Sequence, residues 1–150
     1  MSGLMIGDIA VQRIIEEEVP FFIPHETFVE ATPEALAPHR HWLEPNAMDP
    51  ETGMLILPFQ SYLVRTKHHT ILIDTCIGCG KSITHRPQWF QRTDQTWLNN
   101  LRAAGLQPEA IDYVFCTHLH ADHCGWNTTF VDGRWVPTFP NAKYIISKAE

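Results

Sequence analysis

Positive charge is what this sequence has little of. Lys and Arg number 11 against 17 Asp and Glu, which leaves a formal net charge of −6. No Lys/Arg run or basic patch stands out, so a nucleic-acid surface is not expected. Long apolar runs are missing too, which excludes a helix spanning a membrane. Residues 1–8, MSGLMIGD, have no basic segment followed by an apolar one. No signal peptide is therefore expected, and the cytoplasm is the expected location. Internal repeats and low-complexity segments are absent. Cysteine is sparse: Cys76, Cys79, Cys116 and Cys124 are the full set. A zinc ribbon needs two close pairs, and only Cys76 and Cys79 form one. Gly78 and Gly80 make that segment a loop, not the helix start of a redox pair. All four cysteines are expected to be reduced structural thiols.

What is present suits a single α/β core, expected as one domain over residues 1–150. Residues 6–15 are β-branched and predict a strand. The acidic run Glu16-Glu17-Glu18 after them reads as a solvated strand end or loop. Residues 20–53 are punctuated by prolines and predict an irregular excursion, either a lid or a wrap around the core. Residues 54–64 and 70–74 predict a hairpin whose turn carries His68 and His69. Thr93 is a candidate N-cap of the helix that follows. Trp97, Leu98, Leu101 and Ala104 form its apolar stripe, and Gly105 ends it. Pro108 opens one helical turn, and residues 111–116 predict another strand. Asp132-Gly133 predicts a hairpin turn, and residues 142–147 a last strand.

The chemistry concentrates in residues 116–127, CTHLHADHCGWN. Imidazole and carboxylate coordinate borderline divalent cations such as Zn²⁺. His118 and His120, two apart in extended chain, project to one side and can grip one ion. Asp122 and His123 follow a turn and can reach a second. The alternative is a purely structural histidine cluster. Four ligand-type side chains in six positions after a buried strand argue against it.

With these residues in view, the sequence resembles the metallo-β-lactamase fold hydrolases. Residues 117–123, THLHADH, are similar to that superfamily's motif. Leu72-Ile73-Asp74-Thr75 resembles its upstream strand-then-Asp element, and Gly125-Trp126-Asn127 also matches. The resemblance implies an αββα sandwich, of which this chain covers about the first half and is expected to be truncated. It implies two divalent ions, Zn or alternatively Mn, Fe or Co. His118 and His120 would hold the first ion; Asp122 and His123 would hold the second. Asp122 would also orient a bridging hydroxide and handle the proton. Asp74 would accept a hydrogen bond from a ligand histidine, or else merely cap its strand. The family's later ligands are missing, and no histidine follows His123.

The long N-terminal excursion resembles the lactonase and organophosphate-hydrolase-like branch. That implies hydrolysis of a small lactone or ester, with Phe21, Phe22, Phe28 and Trp42 as candidates to wall the substrate pocket. The alternatives are a β-lactamase, a phosphotriester hydrolase, or an inactive half-domain. A homodimer is a further expectation, since a second copy could supply another half-sandwich.

Overall fold

A computed structural model describes residues 3–150. Its strands are β1 (Leu4–Ile6), β2 (Ile9–Phe22), β3 (Leu55–Arg65), β4 (Thr70–Ile73), β5 (Tyr113–Cys116), β6 (Thr128–Val131), β7 (Arg134–Pro137) and β8 (Lys143–Ile146). Its helices are α1 (Pro24–Thr27), α2 (Pro33–Leu36), α3 (Arg40–Leu43), α4 (Thr96–Ala103) and α5 (Ala121–Cys124). Among the described residues, no helix is long and apolar enough to cross a membrane.

The chain divides into two compact units. The larger holds the chain up to Glu17 together with Phe59–Glu150. Its sheet runs in the order β1-β2-β3-β4-β5-β8, with β6 and β7 forming a separate two-stranded ribbon. β3 and β4 pair antiparallel, as their hairpin pattern predicts, whereas β4, β5 and β8 run parallel. The parallel trio brings the C-terminal ends of β4 and β5 together, where ligand sites of α/β sheets gather. Under one face of the sheet, Leu63, Leu72, Val114 and Cys116 pack with Trp97, Leu101, Trp126 and Phe139, all at most 1% exposed. Trp97 is a core residue, stacked on Trp126 with ring centroids 5.8 Å apart.

Three expectations need correction. The strand predicted over residues 6–15 is broken by the turn at Gly7-Asp8, where Gly7 takes φ 62° and a tight hairpin forms. Thr93 does not cap α4. The N-cap position is Gln95, with no side-chain cap, and Asp94 just before it accepts through Oδ1 from the Thr96 amide at 2.9 Å and the Thr96 hydroxyl at 2.7 Å. The acidic run is not solvated as a whole: Glu16 lies within β2 and is 4% exposed. Ile14 and Glu16 share a strand face, so the alternation that buries one buries the other.

The smaller unit is Glu18–Pro58. Short helical turns alternate in it with turn and loop. β2 continues to Phe22, and α1, α2 and α3 follow as single turns. Pro24 and Pro33 sit at helix starts, where a missing N–H costs nothing, and Thr32 caps α2 by accepting from the Ala35 amide. The unit has its own cleft of about 250 Å³, lined by Ile23, His25, Leu36, Arg40, Met48 and Met54 among others. Phe28 and Trp42 are outside that lining and are 57% and 60% exposed.

Candidate metal centre

β5 ends at Cys116, and the chain leaves the sheet through residues 117–120 into α5. Asp74, at the end of neighbouring β4, anchors this exit. Its amide donates to the Phe115 carbonyl at 2.9 Å. Its carboxylate Oδ1 accepts from the Thr117 amide at 2.7 Å, and Oδ2 from the Thr117 hydroxyl at 2.8 Å. Oδ2 also stands 2.8 Å from His123 Nδ1.

These contacts suit one neutral tautomer. In it His123 Nδ1–H donates to the closer carboxylate, Asp74, and Nε2 keeps its lone pair. Thr117 spends its hydroxyl proton on Asp74, so its oxygen can accept from His118 Nδ1, 3.1 Å away. His118 Nε2 is then also a free lone pair. It lies 3.1 Å from His120 Nδ1. On the other side, His123 Nε2 is 3.6 Å from Asp122 Oδ2. The rings of His118 and His123 pack with centroids 3.9 Å apart.

The donors fit divalent ions as pairs. Two ligands about 2.0–2.1 Å from a tetrahedral ion lie about 3.3 Å from one another. The separations of 3.1 Å for His118/His120 and 3.6 Å for Asp122/His123 bracket that value. Among the described residues, no group of three or more such side chains is placed to hold an ion. The four side chains stand as two facing pairs.

Backbone bonds hold α5 against the loop that follows β4. Thr75 N donates to His123 O at 2.8 Å, Gly125 N to Cys76 O at 2.7 Å, and Trp126 N to Thr75 O at 2.9 Å. Gly125 packs so tightly that a Cβ would run into the Ile77 carbonyl. Asn127 Oδ1 accepts from the Thr75 hydroxyl at 2.9 Å. The four cysteines are free thiols. Burial pushes the Cys76 thiol well above its ordinary range and the Cys79 thiol up to about 11, so neither is a thiolate at neutral pH.

Sequence reasoning singled out the motif and Asp74 but passed over Thr117 and Glu16. Thr117 was legible as the hydroxyl between a strand end and the first histidine. Glu16 was legible from its parity with Ile14.

With the geometry established, comparison with known proteins defines the class. The model of the metallo-beta-lactamase superfamily matches residues 58–148. The chain belongs to that superfamily, and its fold is the α/β fold expected from the sequence. It is 30% identical over 110 residues to an N-acyl homoserine lactonase of Bacillus cereus, a match covering 65% of this chain and 40% of the relative. It also resembles the crystal structure of a probable metal-dependent hydrolase from Staphylococcus aureus. That likeness has a TM-score of 0.71 at 26% identity and covers 98% of this chain and 50% of the other. AidC, a dizinc quorum-quenching lactonase in complex with a product, shares the fold at 21% identity, with a TM-score of 0.68 over 98% of this chain and 44% of that one. The chain thus spans about half or less of the length of the proteins it matches.

Proposed function

We propose that this chain carries part of the dinuclear metal centre of a hydrolase that opens lactones or related small-molecule esters. The observation that carries the reading is the donor geometry at the end of β5. His118 and His120 face each other at 3.1 Å, and His123 is oriented by Asp74 at 2.8 Å. His118 and His120 would hold one ion, and Asp122 and His123 the other. Imidazole and carboxylate donors suit Zn, and also Mn, Fe or Co. Such ions supply Lewis acidity, polarising an ester carbonyl and lowering the pKa of water toward neutrality.

The chain's own residues do the rest. Asp74 keeps the proton of His123 on Nδ1, which reserves Nε2 for coordination. Thr117 does the same for His118 through its hydroxyl. Asp122, through the carboxylate oxygen left free by the ion, would receive a proton as water attacks the ester. Phe28 and Trp42 are the exposed apolar side chains proposed to meet the substrate. Residues 20–53 are proposed as the lid that carries them. Support for the substrate class comes from the likeness to the Bacillus cereus lactonase.

The test has two parts. Metal content per chain, measured together with oligomeric mass, should show loss of most bound metal in both His118→Ala and His120→Ala. Stoichiometric metal retained in both variants would refute the ligand assignment. A complete, metal-loaded enzyme containing this chain should open a homoserine lactone with release of one proton per turnover, read by pH-stat. Turnover of no lactone, ester or phosphotriester by that complete, metal-replete enzyme would sink the hydrolase reading.

A further inference from the structure

Glu16 is a buried acid with no role in the chemistry proposed so far. It is 4% exposed. Its Oε2 accepts from the Ile77 amide at 2.8 Å. Its Oε1 accepts from the Gly78 amide at 3.2 Å and from the Trp126 indole Nε1–H at 2.8 Å. The nearby guanidinium of Arg92 is engaged elsewhere, with Glu17 at 2.8 Å and Asp94 at 3.5 Å. Burying a carboxylate without a contacting cation is expensive, and well-packed apolar residues usually serve stability better. The acid is better explained by what it fixes.

It fixes a loop that needs support. Asp74, Cys76 and Gly78 take φ of 57°, 49° and 78°, a left-handed conformation disfavoured at the two non-glycine positions. Successive amides in such a loop form a concavity suited to an anion, and Glu16 fills it. The same loop grips the motif through Thr75 N to His123 O, Gly125 N to Cys76 O and Trp126 N to Thr75 O. Trp126 then returns to Glu16 through its indole. The circuit is closed: acid, loop, motif helix, indole, acid.

We infer that Glu16 is a positioning residue for the candidate metal centre, clamping the loop at residues 75–78 to Trp126 and so setting where His123 stands against Asp74. The inference rests on the assignment of His123 as a ligand. It does not place Glu16 in contact with the ion or the substrate.

The probe is Co²⁺, titrated into the intact chain and followed by its visible absorption. Amide exchange over residues 74–78 and 121–127 is read in the same variants without metal. Glu16→Gln should lower Co²⁺ affinity by about tenfold or more and alter the absorption band. Trp126→Phe, which keeps the ring and loses one donor, should lower affinity less. Both should loosen the two segments together. Leu101→Ala, in the core on α4, should lower stability while affinity and spectrum stay unchanged. A folded Glu16→Gln variant with wild-type affinity and spectrum would overturn the inference. So would exchange that quickens at residues 77 and 78 alone. Should Glu16→Gln fail to fold, wild-type affinity and exchange in Trp126→Phe would overturn it equally. Wild-type chain that binds no Co²⁺ but shows the coupled exchange would instead fail the metal-centre reading and leave the clamp standing.

Discussion

The two faces of the central sheet are built from equally apolar residues and meet opposite fates. One registered row crosses the strands as Leu63, Leu72, Val114 and Tyr144. Its first three members are fully buried beneath α4 and the Trp97, Trp126 and Phe139 cluster. The next row, on the opposite face, is Tyr62, Ile73, Phe115 and Ile145. There Tyr62 is 41% exposed, Phe115 37% and Ile145 43%. An αββα sandwich sets a second sheet against that face. At the candidate metal centre, the donors among the described residues likewise stand as pairs and not triads. One face of a sheet can finish its core while the other stays open, because the helix, strand and loop contacts beneath it are local to it.

The largest effect should separate adjacent residues of β4. Leu72 is fully buried, and Leu72→Ala should cost about 2–5 kcal/mol of unfolding free energy. Ile73→Ala, one residue on and facing the open side, should cost about 1 kcal/mol. Urea unfolding of both variants under one set of conditions decides the matter. Equal losses would mean that both faces are covered in solution.

The same contrast explains what the sequence revealed. Elements with strong local chemistry were legible: the β3–β4 hairpin, the stripe of α4, the Asp132-Gly133 turn and the strand that leads into residues 117–123. Period-2 alternation was legible as well, but alternation does not say which apolar face is covered. Phe115 and Val114 look alike in sequence, and only packing distinguishes them. Glu16 was misread for a related reason. Three consecutive glutamates look solvated, yet burial in a strand is decided by parity and not by neighbours. In the proline-rich segment the short helical turns were not legible, because prolines that interrupt long helices also start short ones.

Glu16 gives the covered face a pH signature. Burial raises its pKa above the ordinary 4.5, against the opposing pull of the Ile77 amide, the Trp126 indole, the Arg92 charge and the Gly78 amide. A raised carboxylate pKa means that the folded state binds more protons than the unfolded state in that window. Its contribution is fully present below about pH 4.5 and is lost as pH climbs through the folded value. Cys76, which also faces it, stays a neutral thiol throughout, and Arg92 stays charged. Metal-free wild-type protein should therefore lose stability relative to Glu16→Gln as pH rises from about 4.5 toward neutrality. Urea midpoints at matched pH measure this. A gap that widens in favour of the wild type over that range would show that the hydrogen bonds outweigh burial.

The smallest expected effect on stability is the most informative about the open face. Phe115 is aromatic, central in the sheet and flanked in register by Ile73 and Ile145. By residue type alone, removing it should rank among the costliest changes, since Phe→Ala in a core costs about 3–5 kcal/mol. Its exposure of 37% predicts otherwise. Phe115→Ser should change stability by only about 1 kcal/mol or less. It should also break a contiguous apolar surface, and such surfaces drive association. Sedimentation velocity should accordingly show a larger monomer fraction for Phe115→Ser than for wild type at equal concentration. A cost near the core range, with unchanged sedimentation, would place Phe115 inside a packed interior within a single chain. The two faces of the sheet would then be equivalent, and the comparison between them would fail.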